Sequence, residues 1–486
     1  MVARSKGERK SPRIRWRIIA HVEGDGFTLT LATRAAVLAG LFALNACHSS
    51  TIPLAPSGAS VQNQLASHAS LQALSSAVLL GKFKHVVIVV QENRTPDNLF
   101  NGLPGADTVR SGRNSHGQTV PLTEVSLSAP YDLQHMHVAF VTEYARGKMD
   151  GFNLVQSHCQ GKCPPADTRA YGYIDPTETR PYFTMAKQFA FADRMFQSNQ
   201  GPSFPAHLYV IGGSSEPADG SSLKISENAL RPGGGHTAGC DSPPGTKTQM
   251  IDPNGNENHW MFPCIDVKTI FDSLHQNHLT WRYYQNNGGP GLWHAIDAIK
   301  HLRNGKNYKA NVVFSPAEFL TDVAKGNLTN LSVVTPTAQD SDHAGITGNE
   351  GPSWVAQVVN AVGTSQYWKD TAIFVTWDDW GGWYDHVPPP IYNSYELGMR
   401  VPLIVISPFT PAGYVSHTQH EFGSILKFVE ETFDLGLLGT TDVRSDDLSD
   451  CFSFGGSPRK FVKIPAPKMA VEFLREKASS TPPDDD

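Results

Sequence analysis

The chain of 486 residues is 40% hydrophobic, 10% aromatic and 18% charged, with 42 Gly and 34 Pro. That profile excludes collagen-like, coiled-coil and wholly disordered chains, and fits a loop-rich globular protein with ample material for a core. The formal charge is −6, but residues 1–47 hold eight Lys/Arg against three Asp/Glu, so the remainder carries 32 basic and 43 acidic residues, a net −11. An acidic body without a Lys/Arg-rich stripe offers nothing to a phosphate backbone, so nucleic acid is not an expected partner, and no protein partner is indicated.

In chain order, seven basic residues between Arg4 and Arg17, then Arg34, precede the apolar run from Ala35 to Ala46 that ends at Cys47. This reads as an export signal over 1–47. These twelve residues at about 1.5 Å each give a helix of roughly 18 Å, short of the ~30 Å hydrocarbon core. Leu44-Asn45-Ala46-Cys47 resembles a bacterial lipobox, in which Cys47 is lipidated and tethers the exported chain to a membrane. The other reading is an ordinary cleaved signal. Either way the expected location is periplasmic, outer-membrane-tethered or secreted.

Residues 48–82, rich in Ser, Ala and Gln, read as a flexible tether, 83–475 as one large domain with insertions, and 476–486 as a polar tail. Beyond Cys47 stand Cys159, Cys163, Cys240, Cys264 and Cys451. In an oxidising compartment this odd number predicts two disulfides, as local loop staples, and one free thiol. Cys159 and Cys163 lack a second Cys/His pair at zinc-finger spacing.

Val86–Val90, Ala372–Val375 and Pro402–Ile406 are short β-branched runs of the kind buried on both faces of a sheet. Ser353–Val362 and Ser424–Phe433 carry apolar residues at helical spacing between them. Alternating strands and helices predict an α/β fold with a mainly parallel sheet. The Gly/Pro/Asn-rich stretch from Gly212 to Gly291 reads as inserted loops over one end of it.

Two of the strands run directly into oxygen-bearing residues: Val86–Val90 into Gln91-Glu92-Asn93-Arg94, and Ala372–Val375 into Thr376-Trp377-Asp378-Asp379. Open α/β sheets bind ligands at such carboxyl ends. Carboxylates converging there repel unless a cation neutralises them, so a divalent metal ion is expected. Gln200-Gly201-Pro202-Ser203-Phe204-Pro205 places Ser203 at a helix start, either as an ordinary N-cap or facing a bound anion as a nucleophile. His135 and His137, His343 and His386 lie in polar turns with Asp nearby and are candidates to contact phosphate or protonate a leaving group; His417 and His420 are weaker ones.

These motifs, with Val401-Pro402-Leu403-Ile404-Val405-Ile406-Ser407-Pro408, resemble the bacterial phosphoesterase family, which joins secreted phospholipases C with acid phosphatases. The match runs in the same order from roughly Phe83 to Leu435. The resemblance implies an alkaline phosphatase-like α/β/α sandwich of three layers, with loop insertions and a metal centre at the strand ends. It implies Ser203 as nucleophile and metal ligand, with Glu92, Asn93, Asp378 and Asp379 completing the site of a divalent metal ion. It implies His135 and His343 as phosphate-side histidines, with His386 a further one and His294 a candidate for another such position.

Two departures stand out. Ala206 occupies a position where many relatives have Asn, so a polar contact there is missing or taken by His207. Asp378-Asp379-Trp380-Gly381-Gly382 replaces the Asp-Glu-His-Gly-Gly of the phospholipase C branch and tilts the reading towards the acid phosphatases, as does the short stretch after Leu435. The implied activity is metal-dependent hydrolysis of a small phosphate ester or phospholipid through a phosphoserine. The rivals are a sulfatase-like or phosphodiester hydrolase on the same fold, and a non-catalytic surface lipoprotein that binds through its loops. A metal-free serine hydrolase is disfavoured because Ser203 lacks a Gly-x-Ser-x-Gly elbow.

Overall fold

In the computed structural model, the described residues are 79, 81–346, 348 and 350–476. The export signal, Cys47, nearly all of the tether and all but the first residue of the tail lie outside them. Among the described residues no helix is long and apolar enough to cross a membrane.

The β-branched run after Lys84 makes strand β1 (His85–Gln91), buried from Val86 onward. It joins β2 (Ala190–Ala192), β3 (Trp281–Tyr284), β4 (Val312–Val313), β5 (Leu331–Val334), β6 (Thr371–Trp377), β7 (Leu403–Ile406) and β8 (Tyr414–Ser416). They form an 8-stranded sheet in the order β4-β3-β5-β1-β6-β7-β2-β8. All strands run one way except β7, which is antiparallel to both β6 and β2. β1 and β6 lie side by side, with Gln91 opposite Trp377, so the residues that follow them emerge together at the carboxyl edge.

The layers follow from strand parity. Phe374 and Trp377 of β6 are an odd number of residues apart and so point to opposite faces. Phe374 packs 4.8 Å from Phe428, and Trp377 packs 5.1 Å from Tyr182. Tyr182 belongs to helix α1 (Arg180–Gln188), which packs with α3 (Gly351–Gly363), while α2 (Ser203–Gly212) packs with α4 (Phe422–Phe433), the helix that carries Phe428. The result is the expected α/β/α sandwich with a mainly parallel sheet.

The stretch 212–291 holds more order than its composition suggests. It contains a three-stranded antiparallel sheet, the helix Ile270–Gln276 and strand β3. β3 can be buried although it reads Trp-Arg-Tyr-Tyr because its phenols have partners: Tyr283 donates to Trp293 O (3.0 Å) and Tyr284 to Asp322 Oδ2 (2.8 Å). Two disulfides and one free thiol are present as expected; the structure pairs Cys159 with Cys163 and Cys240 with Cys264, and Cys451 is free and buried.

His420, buried beside β8, holds Asp446 Oδ2 at 2.8 Å and Ser416 Oγ at 3.0 Å. Burial pushes His420 down, but the hydrogen bond and charge of Asp446, with Asp450 and Asp447 nearby, outweigh it and raise the value. Burial likewise pushes Asp446 up, and His420 and Ser424 bring it below its ordinary range. The pair therefore stabilises fully between about pH 4 and 6.5; the benefit is lost as pH rises through the raised histidine value or falls through the lowered aspartate one. His420→Gln is expected to cost about 1–3 kcal/mol near pH 5.5 and less near pH 9, read by urea denaturation at both pH values.

Candidate active site

Four consecutive residues, from the last of β1 onward, divide between two tasks. Gln91 and Arg94 hold the turn Asp340–His343: Gln91 Oε1 accepts from Asp342 N (3.0 Å), Gln91 Nε2 donates to Asp340 O (3.1 Å), and Arg94 Nε donates to Asp342 O (2.9 Å). Arg94 also donates to Leu127 O and stacks on Trp383, so its charge serves the scaffold. Asp342 Oδ2 accepts from Tyr182 and from the Trp377 indole, and burial pushes this acid up to about 6.

Glu92 and Asn93 serve the site. Asn93 adopts a left-handed backbone (φ 63°), a conformation Asn tolerates better than most residues. This turns its N–H onto Asp378 Oδ1 (3.1 Å) and its side-chain amide onto His135 Nε2 (3.2 Å). Gly381 (φ +60°) lies so close that a Cβ there would sit 2.5 Å from Asn93 O. Gly381→Ala is expected to destabilise by about 2 kcal/mol or more and to lower turnover with it, measured by urea denaturation and steady-state assay.

The two aspartates after β6 are each anchored by one oxygen. Asp378 Oδ1 accepts from the N–H groups of Asn93 and Asp379, and Asp379 Oδ1 accepts from Gly381 N (2.7 Å). Asp379 Oδ2 receives the hydroxyl of Ser203 at 3.2 Å. The cap of α2 is Pro202, and Ser203 is its first helical residue, so the serine hydroxyl is directed at the carboxylate and not at its own helix. Asn228 Oδ1 caps the helix from outside by accepting from Phe204 N (2.9 Å). Gly201 permits this approach: a Cβ there would lie 2.4 Å from the Tyr395 hydroxyl and 2.6 Å from Ser226 O.

Glu92, Asn93, Ser203, Asp378 and Asp379 are all fully buried. Three buried carboxylates cost several kcal/mol each unless compensated. Asn93 Oδ1 and Asp378 Oδ2 have no hydrogen-bond partner among the described residues. Oxygen atoms left in this state beside further carboxylates fit a bound cation.

His207, on the same face of α2 one turn after Ser203, brings Nε2 to 3.1 Å from Glu92 Oε1 and 3.7 Å from Asp378 Oδ2. Sequence reasoning reached His207 only as a substitute contact near Ala206; its four-residue spacing from Ser203 is the signal that would have found it.

The predicted histidines part company. His135 places Nδ1 2.7 Å from Leu133 O, and His343 places Nδ1 2.6 Å from Ala344 O, so each Nδ1 carries a proton and Nε2 is the nitrogen that can gain or release one. Their rings lie 6.1 Å apart. His137 instead opens a helix and faces Glu257 (3.1 Å). His386 enters a different cluster, with Nδ1 2.7 Å from Asp97 and Nε2 3.1 Å from Asp107, next to the buried Arg400–Asp385 pair. Burial lowers its value, but Asp97 and Asp385 raise it above the ordinary range. His294 holds Gly289 O at 3.0 Å and is pushed down to about 4 by burial, and the exposed His417 pairs with Asp193.

Residues 83–436 match the family model described as the phosphoesterase family. The chain is 26% identical to the non-specific phospholipase C1 of Arabidopsis thaliana, with 80% of this chain and 75% of that protein covered. It is 24% identical to the hemolytic phospholipase C of Pseudomonas aeruginosa, covering 77% of this chain and 56% of the relative. A crystal structure from the alkaline phosphatase superfamily, from Vibrio parahaemolyticus, aligns with a TM-score of 0.34 at 11% identity, covering 76% of this chain and 70% of that one. The chain belongs to the phosphoesterase family and is a hydrolase of phosphoric esters.

Proposed function

We propose that the protein hydrolyses phosphate esters by double displacement, with Ser203 as the nucleophile of a metal-dependent centre. The observation that carries this reading is the Ser203 hydroxyl, at the start of α2, donating to Asp379 Oδ2 at 3.2 Å amid three buried carboxylates. A divalent ion held by Glu92, Asn93, Ser203, Asp378 and Asp379 would supply positive charge that makes the serine oxygen nucleophilic at neutral pH and balances the phosphoryl oxygens.

Asp379 orients the Ser203 oxygen for in-line attack on phosphorus. The amino end of α2, with its partial positive charge, faces the transferring group. Bond formation to Ser203 Oγ, whose proton passes to Asp379 Oδ2, accompanies cleavage of the ester P–O bond, and the departing alkoxide takes a proton from His135 or His343 when the Nε2 of that residue is protonated. Water then attacks the phosphoserine, giving its proton to the histidine that the first step deprotonated, while the P–Oγ bond breaks and Ser203 regains its proton from Asp379.

The phospholipases C among the relatives support a phospholipid diester as substrate, while Asp379-Trp380 after Asp378 supports a monoester. The two disulfides support export to an oxidising compartment, with the lipidated Cys47 as tether. The test is phosphate release from a phenyl phosphate monoester and phosphocholine release from phosphatidylcholine, before and after chelation. Turnover that stops on chelation and returns with added metal is expected; its absence with every metal favours the surface-binding reading.

A further inference from the structure

We propose that His207 is a nitrogen ligand of the metal centre, so that the site selects a zinc- or iron-class ion over calcium or magnesium. This rests on the metal-dependent reading above and goes beyond its oxygen-only ligand set.

The geometry is that of a shared ion. His207 is 1% exposed, and its Nε2 stands between two carboxylates that follow different strands, 3.1 Å from Glu92 Oε1 and 3.7 Å from Asp378 Oδ2. One ligand atom from each of the three residues lies within 4.8 Å of the others. Donors about 2.0–2.2 Å from a common ion in tetrahedral or octahedral arrangement are about 2.8–3.6 Å apart. The shorter distance falls inside that span and the longer just beyond it. The ring faces Glu92 and Asp378 together, as a nitrogen donor sharing one ion with both carboxylates would.

Charge leads to the same place. Even a protonated His207 supplies one positive charge against the carboxylates of Glu92, Asp378 and Asp379, all fully buried. A neutral imidazole and a divalent ion balance them better. Calcium and magnesium take oxygen ligands, whereas imidazole suits zinc and iron, so one ring in the first coordination sphere changes which ion is retained. Helical spacing fixes the arrangement: Ser203 and His207 are one turn apart on α2, so the residue proposed as nucleophile and the nitrogen donor face the same centre.

The test uses the whole mature protein, stripped by chelation and reloaded with zinc alone. X-ray absorption at the zinc edge should show imidazole ring scattering, and competition titration should show zinc held against excess magnesium and calcium. His207→Asn should lose the ring signal and bind zinc about 100-fold or more weakly, beyond the 10–100-fold that an outer-shell partner is worth. His207→Gln serves as a second variant, each checked for a native melting transition, and the wild-type spectrum decides alone if neither folds. Zinc bound without ring scattering, or ring scattering unchanged in the variants, overturns the ligand assignment and leaves metal-dependent hydrolysis standing. A wild-type protein that retains no divalent ion overturns both.

Discussion

Ser203→Ala is expected to lower kcat by about 10,000-fold or more, with KM changed far less, because the substitution removes the atom that receives the phosphoryl group. The fold should survive. Ser203 does not cap its own helix; the first-turn N–H of Phe204 is held by Asn228 and the loop before it by Gln197 and Asn199, which both donate to Gly201 O at 3.0 Å. The substitution deletes one hydrogen bond, to Asp379, a loss of about 1 kcal/mol. Steady-state kinetics beside urea denaturation separates the two effects. A variant that folds normally and keeps wild-type turnover would remove Ser203 from the mechanism.

Asp378→Asn should move activity and stability in opposite directions. An amide keeps the oxygen that accepts from Asn93 N and Asp379 N, and places an NH₂ group where Oδ2 now faces Glu92 and His207. Turnover is expected to fall by about 1,000-fold or more with the loss of a ligand charge. In chelator, the variant should be about 1–3 kcal/mol more stable than wild type, because one of three fully buried carboxylates has been neutralised without opening a cavity. Denaturation in chelator and in metal reads the sign. A metal-free variant less stable than wild type would mean that the carboxylate is already balanced by the protein alone.

Much of this arrangement is legible in the sequence because the centre of the sheet is built from long apolar strands that end abruptly in polar residues. β1 and β6 are of this kind, and their exits deliver Glu92, Asn93, Asp378 and Asp379 to one place. Strands that hide their burial are harder to read. β3 is aromatic and partly polar, β5 has four residues, and β7 has the same buried composition as β1 yet runs antiparallel, a choice composition does not encode. The histidines divide for a related reason. His135 and His343 are placed by backbone turns that motifs mark, whereas His386 follows Gly381 and Gly382, whose left-handed conformations (φ 60° and 69°) redirect the chain towards Asp97 and Asp107. His207, reached only as a substitute contact near Ala206, is placed at the site by its one-turn spacing from Ser203.

The central claim is that a phosphoryl group passes through Ser203. Acid quenching during steady-state turnover of a phosphate ester, followed by peptide mass analysis, tests it most directly. The expected result is one phosphoryl group on the peptide containing Ser203, absent before substrate is added and absent in Ser203→Ala. Rapid turnover with no adduct on that peptide, or an adduct on another residue, would contradict the account.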